Sequence, residues 1–169
     1  DSDSLVKVLR DDSGMYFVHY DFEPDKLSVS AYENKYSTTI RLNGKISDME
    51  GKTIYQFEKD VSLNFDEERM KSLSRLPFSI HDMFPLIPGN YRLSVLFKNE
   101  ASKEFCSLER SIVIPQDSEA LQMTPLILGY KMIRTERQRD KLKPFQMGAY
   151  QLYFQANRVF VKGDSFGVG

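Results

Sequence analysis

Two histidines, one cysteine and a few clusters of charge are the groups in this 169-residue chain that could do chemistry. His19 lies in an alternating run, and His81 sits beside Asp82. A zinc-type centre needs several ligands converging on one point. Neither histidine has such a partner nearby in sequence, so both read as ordinary surface or partly buried imidazoles. Cys106 is the sole cysteine, which excludes an intramolecular disulfide. It lies inside a strand pattern without a His to activate its thiol, so it reads as a small buried hydrophobe.

Acidic residues cluster at Asp11-Asp12, at Asp21, Glu23 and Asp25, and at Glu67-Glu68. None has the Asp-x-Asp-x-Asp-Gly spacing of a calcium loop. Solvated turns and a helix N-terminus account for all three clusters. A Gly-x-Ser-x-Gly nucleophile turn, a phosphate loop, a dinucleotide fingerprint and a Cys-x-x-Cys pair are all missing. The expectation is a non-enzymatic chain with no catalytic residue, no metal and no cofactor.

The largest departure from an even charge distribution is residues 131–143. Lys131, Arg134, Arg137, Arg139, Lys141 and Lys143 outweigh Glu136 and Asp140 and give +4, which leaves −5 on the rest of a chain whose net charge is −1. Such asymmetry marks a candidate contact for an acidic protein partner, an anionic lipid surface or an acidic polymer. The plainer reading is a mobile, solvated loop between two strands. It is favoured because no aromatic residue interleaves the basic ones, as base stacking would need. With no global positive field, nucleic acid is not expected as a partner. Tyr32, Tyr36, Tyr55 and Tyr130 would offer rings for sugar stacking if exposed.

Strands must position these groups. Twelve Phe and nine Tyr supply aromatic mass that favours β-structure. Residues 1–14 read as a loose lead-in with a short edge strand at Leu5, Val6 and Val8. From Met15 the period is two, with Tyr16, Val18, Tyr20 and Phe22 on one face. Leu27, Val29 and Ala31 alternate again. Ile40, Leu42, Gly44 and Ile46 face inward while Arg41, Asn43 and Lys45 face water. After a turn at Asp48–Gly51, a return strand runs over 53–65. Asp66 caps a short helix over 66–73. Leu76, Phe78 and Ile80 suggest another strand. Pro88-Gly89-Asn90-Tyr91 then forms a corner leading into strand 90–98, and the next strand covers 104–114. Tyr91 at this corner reads as a tyrosine that bonds back to the backbone of 84–89.

Seven strands in about one hundred residues predict an all-β chain, an immunoglobulin-like antiparallel β-sandwich over 1–116. Ile40, Leu42, Ile46, Phe57, Leu63, Tyr91, Leu93, Val95 and Ile112 are its expected core. A polar linker follows, then a short second β unit over 117–169. Its strands are expected over 125–133, over 145–155 and at Val159–Val161. So few strands rarely bury enough surface alone. Either this unit packs on the sandwich, or it is the truncated opening of a longer domain. No apolar run approaches membrane-spanning length. Asp1 stands in place of an initiating Met, so the chain reads as a processed or excised piece.

The runs Val61-Ser62-Leu63-Asn64-Phe65, Pro88-Gly89-Asn90-Tyr91-Arg92-Leu93-Ser94-Val95 and Arg110-Ser111-Ile112-Val113-Ile114-Pro115 resemble a β-sandwich module of bacterial exported proteins that carry a Gly-Trp-x-Thr-Asp domain. The stretch from Leu121 through Phe154 to Gly163-Asp164 resembles the opening of the β-rich unit that follows it there. The resemblance implies an extracytoplasmic, periplasmic or extracellular protein and carries over no catalytic residue. The resulting expectation is a non-enzymatic interaction or spacer module. The alternatives are a carbohydrate-binding module and an accessory domain excised from a larger enzyme.

Overall fold

The period-two runs become strands wherever one face can be kept dry. The computed structural model describes residues 2–24, 26–73, 78–116, 126–135, 143–154, 161–164 and 167–168. In chain order these form β1 (Ser2–Arg10), β2 (Tyr16–Pro24), β3 (Ser30–Tyr32), β4 (Lys35–Asp48), β5 (Thr53–Phe65), α1 (Glu67–Leu73), β6 (Ile80–Leu86), β7 (Gly89–Asn99) and β8 (Phe105–Ile114). Shorter strands follow: β9 (Leu128–Gly129), β10 (Lys131–Arg134), β11 (Gln146–Met147), β12 (Tyr150–Tyr153) and β13 (Gly167–Val168). The protein is all-β and sandwich-like, built from antiparallel sheets with one short helix among the described residues. None of its described helices is long and apolar enough to cross a membrane.

The chain groups into two compact units. The first is built on Pro24–Phe78 and Asn90–Val113. Its five-stranded sheet runs β3-β4-β7-β8, with β5 on the other side of β4. Central β4 alternates as expected, with Ile40, Leu42, Gly44 and Ile46 buried. In β7, Tyr91, Leu93, Val95 and Phe97 are buried, and in β8 Leu108, Ile112 and Ile114. Phe57 and Leu63 depart from expectation, being only half-buried. The reason is position: among the described residues β5 pairs only with β4, so its inward face is covered from one side. A turn at Asp48–Gly51 closes the β4–β5 hairpin, with Gly51 at positive φ. Asp66 caps α1 by accepting the Arg69 N–H at 2.8 Å.

Asn99 ties this unit together. Its Oδ1 accepts from the Thr38 hydroxyl and the Ala101 N–H, each at 2.9 Å, and its Nδ2 donates to the Ser28 carbonyl at 2.9 Å. On the wet face, Arg41 lies opposite Asp60 on β5 and Lys98 on β7. Arg41 Nε reaches Asp60 at 3.0 Å, while hydrogen bonds from Lys103 and then Lys98 hold the Glu100 carboxyl down to about 2.

The second unit is built on Asp3–Glu23, Ser79–Gly89 and Ile114–Gly169. One sheet has the order β1-β2-β6; a second has β10-β12-β11; β9 and β13 form a two-stranded ribbon. The expected loose lead-in is instead a nine-residue strand, β1. Leu9 on that strand packs with Ile127, Phe145 and Leu152 in one buried cluster, with Leu5, Met147 and Phe154 against it. Ile127, Phe145 and Leu152 therefore bury their side chains against β1, near the start of the chain. The continuous strand expected over 145–155 is a tight hairpin, β11 to β12, broken at Gly148 (φ 56°). The strand expected over 125–133 is split by a bend at Tyr130. Leu76 and residues 159 and 160 of the other expected strands lie outside the described residues. Val161 lies outside any strand, and β6 begins only at Ile80.

Candidate functional site

Alternation predicts one buried face for β2, yet every residue from Val18 to Glu23 is buried. Both faces are covered, and at His19 the cover on the side that sequence alone leaves wet is Phe145. His19 is thus not a surface imidazole: it is 4% exposed. Its Nδ1 accepts the Phe145 N–H at 2.9 Å, and its ring lies 5.1 Å from the Phe145 ring. Accepting at Nδ1 fixes the neutral tautomer with the proton on Nε2. Burial pushes this imidazole down to about 4. Phe145 holds a left-handed backbone (φ 56°) that non-glycine residues avoid, and it is 1% exposed. Phe154 meets its ring edge-on at 4.4 Å.

Asp21 and Glu23 correct the solvated-turn reading as well, since both are buried within β2. Asp21 Oδ1 lies 3.1 Å from Nδ1 of His81, directly across the β2–β6 ladder. His81 is half-exposed. The Ser79 hydroxyl approaches the same nitrogen at 3.5 Å. A nucleophilic triad needs the acid on one ring nitrogen and the serine on the other. Here both contact Nδ1, so the arrangement orients His81 without activating Ser79. Among the described residues, no three His, Cys, Asp or Glu side chains are grouped so as to hold a metal. Cys106 is half-buried rather than buried. Asp11 does sit in a solvated turn, accepting from Ser13 and Met15 N–H at 2.9 Å, and Glu67-Glu68 open α1.

The basic segment is only partly a loop. Lys131 and Arg134 lie in β10, all four residues of which are exposed. Lys143 is exposed and outside any strand. Arg137, Arg139 and Lys141 lie outside the described residues. The pairing of β10 with β12 supplies what the linear sequence lacks. Lys131 faces Tyr153, and Arg134 faces Tyr150. The Lys131 ammonium sits 5.9 Å from the Tyr153 ring centroid. Tyr150 and Tyr153 are 43% and 40% exposed, with Met132 and Ile133 exposed between the two cations. Aromatic interleaving is therefore present across the sheet and invisible along the chain. The signal that could have revealed it is the alternation in 145–155, read as the pairing partner of 131–134.

Two close approaches position this strand pair. A Cβ on Gly129 would meet Leu152 Cδ1 and the Tyr153 carbonyl oxygen at 2.6 Å, so β9 can lie against β12 only as glycine. Leu152 carries the other face of β12 into the core shared with Leu9 and Phe145. The exposed Tyr153 thus stands on a strand anchored from beneath. Set against known proteins, the chain matches no protein-family model, and no curated protein matches it.

Proposed function

We propose that this chain is a non-enzymatic interaction module that binds an acidic partner through β10 and β12. The observation that carries this reading is the register pairing Lys131 with Tyr153 and Arg134 with Tyr150 on exposed positions. Tyr, Met and Arg are the residues enriched at protein interfaces, and exposed apolar side chains grouped with charge mark contact surfaces. We read the fold as immunoglobulin-like and its setting as extracytoplasmic, periplasmic or extracellular, following the resemblance to modules of bacterial exported proteins.

The test is retention on an acidic matrix as salt is raised. Exposed charges are screened over about 8–10 Å at moderate ionic strength, so binding should weaken with salt. The Lys131→Glu, Arg134→Glu double variant should elute well before the parent. Equal elution would defeat the reading. A carbohydrate-binding role is the second reading, favoured by the exposure of Tyr32 (75%) and Tyr55 (45%). Glycan-array binding that survives the double charge reversal would move the site to those tyrosines.

A further inference from the structure

We propose that β10 accepts an extended acidic segment of a partner protein as an added strand; this inference rests on the binding reading above and specifies its mode. β10 is the outer strand of its sheet, with β12 on one side and no strand on the other among the described residues. Thr135 N–H donates to Ala149 O at 2.8 Å, so in the register of this ladder Ile133/Gln151 and Lys131/Tyr153 are the hydrogen-bonded pairs. An antiparallel ladder alternates inward- and outward-directed backbone groups. The N–H and C=O of Met132 and Arg134 are therefore directed to the open edge. An unpaired edge of this kind is a template for strand addition.

Side-chain register then specifies the guest. Lys131 and Ile133 project from one face of β10, and Met132 and Arg134 from the other. In a strand laid beside β10, residues directly opposite share a face. Acidic residues opposite Lys131 and Arg134 stand three apart, and apolar residues opposite Met132 and Ile133 fill the two places between. The guest motif is acidic–apolar–apolar–acidic, which reads the same in either strand direction. A simple polyanion brings nothing to cover Met132 and Ile133. A single nucleic-acid strand cannot stack on Tyr150 and Tyr153 together, because neighbours three apart on β12 lie on opposite faces.

The probe is a short capped peptide centred on Glu-Val-Val-Glu, with Lys-Val-Val-Lys as control, titrated into the full chain at low salt. The acidic peptide should bind, and the Lys131→Glu, Arg134→Glu variant should bind it at least about tenfold more weakly. At saturation the Met132 and Arg134 amides should exchange more slowly, while amides already paired with β12 change little. Met132→Pro removes an outward N–H and leaves the ladder to β12 intact, as prolines on sheet edges do. It should abolish peptide binding. If Met132→Pro disturbs the fold, amide exchange on the parent chain decides alone. Salt-sensitive binding without protection of those two amides, or a folded Met132→Pro variant that binds normally, overturns strand addition and leaves the acidic-partner reading standing. Acidic-matrix retention with no peptide binding does the same. Indifference of both assays to charge reversal overturns both.

Discussion

Protonation of His19 would place a hydrogen on Nδ1 against the Phe145 N–H, turning an accepted bond into two facing donors. Unfolded, the imidazole takes up a proton near 6.5; folded, near 4. The folded state is therefore at full strength above about pH 6.5 and weakens as pH falls toward 4, by about 3 kcal/mol at the limit. His19→Asn keeps an acceptor in the place of Nδ1 but does not titrate. Its urea midpoint should lose less than the parent's between pH 6.5 and 4, and parallel pH profiles would refute this. Asn99 makes the second residue-scale prediction. Asn99→Ala abandons the Thr38 hydroxyl, the Ala101 N–H and the Ser28 carbonyl at once. Leaving buried groups unmatched costs about 1–3 kcal/mol each, partly relieved by water, so a loss of about 2–4 kcal/mol is expected on denaturant unfolding.

At the scale of elements, two buried glycines should respond differently to the same change. Gly44 on β4 lies beneath the Phe57 ring, the free end of an edge-strand side chain that can swing outward. Gly129 lies against a backbone carbonyl, which cannot. Gly44→Ala should cost about 1 kcal/mol and Gly129→Ala about 3 kcal/mol, measured by thermal or urea unfolding. The same contrast explains what was legible beforehand. Strands β4, β5, β7 and β8 could be read from sequence because each keeps one wet face, and the alternation survives. β2 alternates as well, so its polar positions His19, Asp21 and Glu23 read as a wet face, and nothing along the chain reveals that Phe145 covers His19. For the candidate site, Lys131, Arg134 and Lys143 were visible as charge. Tyr150 and Tyr153 were not, because register is a property of two strands.

For the whole molecule, the core joining Leu9 to Ile127, Phe145 and Leu152 bears on where the chain can be cut. A fragment ending at residue 116 keeps every strand through β8 yet loses three of those four side chains and the cover over His19. Burying each such side chain contributes about 1.5–3 kcal/mol, so the fragment should be less stable by roughly 5 kcal/mol or more. Domains are stable by only about 5–15 kcal/mol. The fragment should expose apolar surface, seen as dye binding and a lowered urea midpoint; a midpoint equal to the parent's would contradict this role for the C-terminal residues. The hydrogen bond from Phe145 to His19 spans 126 residues. During synthesis, which proceeds from N- to C-terminus, β1 and β2 emerge ahead of the other described strands and wait for their cover until Leu152 has left the ribosome. Hairpins closed by neighbouring residues, such as β4–β5, have no such delay. Folding of the two units is thus ordered in time: the unit holding β1 and β2 is the last to close, and a pause in translation before residue 145 would lengthen the interval in which β2 stands open to aggregation.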